Sequence, residues 1–180
     1  LVVSFAVESL HTAFAEERRT DTLELLLTAP VREVWIVLAK FLAALALLTG
    51  IYTATAAYAV VLGLYGEPDW GPVYGGYLAV ILHAGLLVSV GLLMSSLTEN
   101  QVVAAVVTSA IFLMLWVIDW ISQSLQPPAQ DVVQYLSFTN HFDDFSRGII
   151  DTTHLVYYVS FIAFGLFLTM RSVDTERWRG

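Results

Sequence analysis

The chain has 180 residues, 57% of them hydrophobic, with a mean hydropathy of +0.71. Soluble domains hold roughly 45–50% apolar residues, so this is the composition of an integral membrane protein. A formal net charge of -8 argues against nucleic acid, which selects a basic face, and the lack of cysteine removes disulfides and thiolate metal sites.

Residues 1–15 are apolar but carry Glu8 and His11. They are too few to cross about 30 Å of hydrocarbon. They read as the inner end of a span that begins upstream or, alternatively, as a frayed surface helix. The chain opens on Leu1-Val2-Val3 with no basic region ahead of an apolar core, unlike a secretory signal, and the expectation is a fragment whose start is missing.

The stretch Phe14 to Pro30 packs charge densely and still has helical apolar spacing. Leu23, Leu26 and Leu27 stand at i, i+3 and i+4, while Glu24 and Thr28 point elsewhere. Asp21 is placed to cap the helix, with Glu24 three residues on near its positive end. Pro30 disfavours a helical Ala29, so the helix is about two turns long. A short amphipathic helix between charged residues and membrane spans suits the membrane surface and the grip of a soluble partner.

Residues 34–65 form the first complete span, with Lys40 near its start able to snorkel to the interface. Its length predicts tilt or protrusion. Ala46, Gly50 and Ala54 make a small-residue stripe that admits a close helix. Thr49, Tyr52, Thr53 and Tyr58 offer interhelical hydrogen bonds or, less favoured, a polar pathway. Gly66 to Pro72 is a breaker-rich loop. Residues 73–97 are the second span, anchored by Tyr74 and Tyr77. His83 inside it is read as a neutral imidazole bonded to a neighbouring helix, with a proton or substrate path as the alternative.

Thr98-Glu99-Asn100-Gln101 is a tight turn, with capping-box spacing between Thr98 and Gln101. Residues 101–121 are the third span, which places Asp119 between Trp116 and Trp120 at an interface. In 122–152, Pro127-Pro128 breaks the chain. Phe138, Phe142, Phe145 and Ile149 then recur on one helical face opposite Asn140, Asp143, Asp144 and Arg147. This predicts an amphipathic helix lying in or dipping into the outer interface. Residues 153–170 are the last span.

With these spans, Arg18, Arg19, Arg32, Arg171, Arg177 and Arg179 share one side and Arg147 stands alone on the other. That bias puts both ends of the chain in the cytoplasm. Nucleotide loops of the forms GxxxxGK[ST] and GxGxxG, and the motifs HExxH and GxSxG, do not occur. His141, Asp143, Asp144 and His154 offer metal-ligand chemistry, but their spacing fits no fixed pattern and a solvated helix face is favoured, so no metal is expected. Ser89, Ser95 and Ser96 are read as helix-packing residues rather than as a hydrolase with His83.

Four ordered segments carry a resemblance: Phe14-Ala-Glu-Glu-Arg-Arg19, Thr22-Leu-Glu-Leu-Leu-Leu-Thr-Ala-Pro30, Ile36-Val-Leu-Ala-Lys-Phe-Leu42 and Ser96-Leu-Thr-Glu-Asn-Gln-Val102. In this order the chain resembles permeases of type-2 ABC exporters, nearest to the gliding-motility branch and to permeases serving copper maturation of nitrous oxide reductase. Phe145-Ser-Arg-Gly-Ile-Ile-Asp151 fits that branch as well. The resemblance implies an all-α, polytopic helical bundle in a prokaryotic inner membrane, here lacking the first span and most of the second. It implies a dimer with a second permease copy or homologue, resting in the bilayer on cytoplasmic ATPase subunits. ATP and Mg would bind those subunits, and this chain would hold no cofactor and perform no catalysis.

By the same likeness, Glu16, Glu17, Arg18, Arg19, Thr22, Leu23, Glu24, Leu25, Leu26, Leu27 and Pro30 form a coupling region. Thr98, Glu99, Asn100 and Gln101 form a second cytoplasmic contact. The chain departs from the family pattern at Asp21 and Ala39, where glycine is usual; Asp21 still caps. Competing readings are a membrane assembly protein that docks a soluble partner without transport, and an intramembrane enzyme using His83 or the outer acidic cluster.

Overall fold

The computed structural model describes residues 33–98, 100–122 and 137–177. The coupling region at 16–30 and Glu99 lie outside them. The described elements are helices in the order α1 (Glu33–Tyr65), α2 (Trp70–Leu97), α3 (Gln101–Ser122), α4 (Phe138–Ser146) and α5 (Thr152–Arg177). By length and composition, Val34–Tyr65, Trp70–Leu97 and Thr152–Thr175 can each cross a membrane, and Val102–Ile118 is the apolar run of α3.

Two helices are longer than the apolar patterns at 73–97 and 153–170, and local chemistry accounts for both. The Asp69 carboxylate accepts from the Gly71 amide at 3.0 Å and starts α2 at Trp70. Pro72 then falls in the first turn, where its missing N–H leaves no helical bond unmade. Asp151 caps α5 by accepting from the Thr153 amide at 3.0 Å and the Thr153 hydroxyl at 3.1 Å. These bonds, the backbone one first, hold the exposed Asp151 carboxyl below its usual pKa. At its other end α5 continues through Arg171, which sits 3.9 Å from Asp174 one turn on and packs over the Phe167 ring.

The helix α2 is the hub, touching α1, α3, α4 and α5, and its longest interface is with α5. One apolar core joins Val37, Phe41, Ala44 and Leu48 of α1 to Ala84, Val88 and Leu92 of α2 and to Leu166 and Val173 of α5. The α1 set recurs at i, i+4, i+7 and i+11, the inward stripe of an apolar helix. A second core gathers Ala79, Leu86, Phe145, Tyr157 and Tyr158.

Small residues make the α2–α5 seam close. Ser89, Ser95 and Ser96 are buried, and the Ser89 and Ser96 hydroxyls donate to carbonyls of their own helix. Ser172 crosses the seam to donate to the Ser96 carbonyl at 3.2 Å, while Gly165 lies against Ser89. This is the packing that small polar residues allow between membrane helices.

The stripe Ala46, Gly50 and Ala54 faces outward, and nothing stands within 4 Å of a Cβ built on Gly50. The α1 hydroxyls also differ from the interhelical expectation. Thr53 donates to Thr49 of its own helix at 2.7 Å and Tyr58 is exposed. The α1–α2 hydrogen bond falls instead between the hydroxyls of Thr55 and Tyr77, 3.0 Å apart.

Candidate functional site

The amphipathic helix α4 positions the site. Its apolar face carries Phe138 and Phe142, both half-buried, and the fully buried Phe145, while Asp143 is exposed. Ile149 falls past the helix end and is exposed, so it leaves that face. The Gly148 amide donates to the Phe145 carbonyl at 2.9 Å and the Ile149 amide to the Asp144 carbonyl at 3.0 Å. With Gly148 at φ 82°, this is the Schellman closure that glycine permits without a Cβ penalty.

The helix stands alongside α2. Phe145 meets α2 at Gly75, where an added Cβ would overlap the Phe145 carbonyl, and Phe138 meets it at His83. From Gly75 to His83 is about 12 Å of helix and from Phe138 to Phe145 about 10 Å, so α4 runs antiparallel to α2 over that length. Its hydrophobic face is thereby shared by α2 and α5 instead of lying open across the bundle end.

Between α1, α2 and α4 lies a cavity of ≈ 280 Å³. It is lined by Leu48 and Tyr52 of α1, Val80, His83, Ala84 and Leu87 of α2, and Phe138, Thr139 and Phe142 of α4. A shallower one of ≈ 330 Å³ shares Tyr52, Val80 and Phe142 and is bounded by Thr55, Val73, Gly76 and Tyr77. The lining is apolar apart from one imidazole and a few hydroxyls. Such a wall suits a compact lipid-soluble molecule, with few polar groups to orient it.

Among the described residues, the hydrogen bond from His83 to a neighbouring helix that the sequence suggests is not found at its Nδ1, which is buried without a partner. Aromatic rings surround the imidazole: Phe138 at 5.3 Å, Phe142 at 5.8 Å and Tyr158 at 6.3 Å between centroids. Tyr158 is the residue sequence reasoning passed over. It is fully buried, and its hydroxyl donates to the Phe138 carbonyl at 3.1 Å, tying α5 to the start of α4. The adjacent Tyr157-Tyr158 pair inside an apolar span was the available signal, because a buried phenol needs an acceptor.

A second polar cluster lies on the other side of α4. The rings of His141 and His154 are 4.8 Å apart, and His141 packs edge-on against Tyr157 at 4.0 Å. His154 Nε2 is 3.2 Å from Asp144 Oδ2. Burial pushes the His141 imidazole below its usual pKa, the nearby His154 adds to this, and Asp144 pulls the other way. Thus His141, Asp144 and His154 come together and Asp143 does not join them. Among the described residues, no group of three or more His, Asp or Glu side chains is arranged to hold a metal ion.

At the opposite end of the bundle, the turn between α2 and α3 is capped by Asn100 and not by a Thr98–Gln101 box. Asn100 Oδ1 accepts from the amides of Val102 at 2.9 Å and Val103 at 3.4 Å. The Asn100 amide in turn donates to the Thr98 hydroxyl at 3.3 Å. Asparagine caps as well as threonine or better, and starting α3 at Gln101 leaves Thr98 two residues too early for the role.

Long apolar helices packed about α2, with a greasy cavity at their heart, define a polytopic helical membrane protein. The chain belongs to the family described as ABC-2 family transporter protein, which matches it over residues 3–170, and it is thus a transmembrane component and not itself a catalyst. No curated protein and no solved structure matches it.

Proposed function

We propose that the chain is the membrane-spanning permease subunit of an ATP-driven exporter, working as a dimer on cytoplasmic ATPase subunits that bind ATP and Mg. The observation that carries this reading is the family match, which runs through the charged segment at 16–30 as well as through the spans. In the proposed mechanism, nucleotide-driven closure of the ATPases pushes the short helix bearing Leu23, Leu26 and Leu27. The turn Thr98 to Gln101 is a second contact at the same membrane face. The spans move as rigid bodies, and access to a cavity between two permeases changes from inward to outward. The excess of basic residues on that face supports a cytoplasmic side for it, and the resemblance to exporter permeases supports a prokaryotic inner membrane. The ordered segments quoted above favour the gliding-motility-like branch.

The test is Leu26→Asp in the full-length permease, reconstituted with its ATPase. Burying a leucine is worth roughly 1.5–3 kcal/mol, so partner affinity should drop about tenfold or more and nucleotide turnover should lose its dependence on the permease. Thr28→Ala, on the other face of the helix, should be nearly silent. A Leu26→Asp permease that co-purifies with the ATPase and stimulates it like the parent would rule out coupling through this helix.

A further inference from the structure

We propose that the cavity between α1, α2 and α4 binds a neutral phenol of one or two fused rings, taken up from the bilayer and held by the His83 imidazole. The cavity measures ≈ 280 Å³. In another protein an apolar cavity of about 150 Å³ takes up benzene, and pockets for drug-sized molecules run from about 300 to 1,000 Å³. One or two fused rings therefore fit, and a larger molecule does not. Four of the lining side chains are themselves rings, Tyr52, His83, Phe138 and Phe142, and aromatic rings pack offset or edge-on against one another.

The imidazole decides the polar group. His83 Nδ1 is buried without a partner among the described residues, which leaves Nε2 for a ligand. A neutral imidazole presents either an N–H or a lone pair there, and a hydroxyl answers both, as acceptor or as donor. Tyr52 and Thr139 bring hydroxyls of their own to the same wall. No Asp, Glu, Lys or Arg lines it, so an ionised guest would lose its hydration without gaining a fixed counter-ion. One ring hydroxyl on an otherwise apolar body is what this wall satisfies.

Depth and access agree with a guest that arrives through lipid. His83 stands near the middle of α2, ~20 Å of helix from both Trp70 and Leu97. The shallower cavity shares Tyr52, Val80 and Phe142 with the first and reaches along α2 to Val73, ~15 Å from His83. Nothing stands within 4 Å of a Cβ built on Gly76, so that wall is open along the way. The site lies within one chain and does not rest on coupling to an ATPase.

The test is photolabelling of the full-length protein in phosphatidylethanolamine–phosphatidylglycerol nanodiscs with a phenol that carries a diazirine, the adducts being mapped by mass spectrometry. Labelling should saturate and fall on Tyr52, Val80 and Phe142. Competition by 1-naphthol should exceed that by naphthalene, a guest of nearly the same shape without the hydroxyl, when both are compared at equal concentration in the membrane. In His83→Phe, which keeps a ring but loses the hydrogen bond, 1-naphthol should compete roughly fivefold to tenfold less well; His83→Gln, which keeps a donor and an acceptor, should restore part of the difference. Adducts that spread over the lipid-facing helices without saturating overturn the site, as does naphthalene competing as well as 1-naphthol in the parent, or a His83→Phe protein that still tells the two apart. If His83→Phe is poorly folded, Val80→Trp decides: it fills the wall common to both cavities and should abolish labelling of Tyr52 and Phe142, and labelling that persists there overturns the site.

Discussion

The two ends of the α2–α5 interface are built on different physics. Toward the Thr98 end, Ser89, Ser96, Gly165 and Ser172 let the two helices close on one another, and each serine hydroxyl has an acceptor. Toward the Asp69 end, α4 packs against both helices, and the contacts become aromatic rings, imidazoles and a cavity. Small residues let the two backbones approach closely and gain dispersion along the whole contact, and the serine hydroxyls are held by backbone carbonyls. The Thr98 end is thus a close seam of small residues, and the Asp69 end is a packing of rings beside a cavity.

The largest effect expected from breaking that comparison is at Gly165. A Cβ there would already lie 3.0 Å from the Ser89 hydroxyl, so Gly165→Leu forces further carbon atoms into a seam without room. Overpacking of this kind costs typically 1–3 kcal/mol, occasionally more, and here should reach about 3 kcal/mol because both facing elements are long, mutually braced helices. Thermal unfolding of the detergent-solubilised protein should show a large fall in Tm. An unchanged Tm would mean that α2 and α5 slide freely and the close seam does not exist.

A smaller and more local effect is expected at Gly75. Even an alanine methyl meets the Phe145 carbonyl and the Gly148 backbone, so α4 must shift, but the seam beyond His83 need not. Gly75→Ala should cost about 1–2 kcal/mol. It should also raise the reactivity of a cysteine placed at Thr139, on the cavity wall, toward a membrane-permeant thiol reagent. A Tm loss matching that of Gly165→Leu, with Thr139 no more reactive, would show that the two ends behave as one body.

Much of this architecture is legible in the sequence because the bilayer imposes it. Continuous apolar runs announce α1, α2, α3 and α5, and the run of breakers from Gly66 to Pro72 marks the first loop, because hydrocarbon demands helices with every backbone group satisfied. The Phe138, Phe142, Phe145 spacing announces α4 in the same way. What periodicity does not carry is the partner: it says that a face is greasy and not which helix covers it. The placement of α4 depends on Gly75, one of two adjacent glycines with nothing local to tell them apart. The stripe Ala46, Gly50 and Ala54 reads as a contact surface, yet the described contacts of α1 lie on its other face, at Val37, Phe41, Ala44 and Leu48. His83 is legible as an anomaly but not its aromatic surroundings, since two of the three rings come from α4, more than fifty residues away in sequence. The nearness of His141 to His154 likewise needs the antiparallel run of α4 and α5.

The smallest effect expected is at Tyr158, and it separates a peg from a pillar. The ring is fully buried and packs with Phe145 and Tyr157, while its hydroxyl makes one bond, to the Phe138 carbonyl at 3.1 Å. Tyr158→Phe keeps the ring and therefore the packing, and it removes only that bond. Phe138 begins α4, so its carbonyl keeps a helical amide as a partner and is not left bare. Interhelical hydrogen bonds in membrane proteins average about 0.6 kcal/mol and reach about 1.7; with both ends of this one partly compensated, about 0.6 kcal/mol is expected. For a chain of this size that is a fall in Tm of about 1–2 °C, with reactivity at Thr139 rising less than in Gly75→Ala. A fall as large as that of Gly165→Leu would place Tyr158 in the close seam and move the boundary between the two halves past α4.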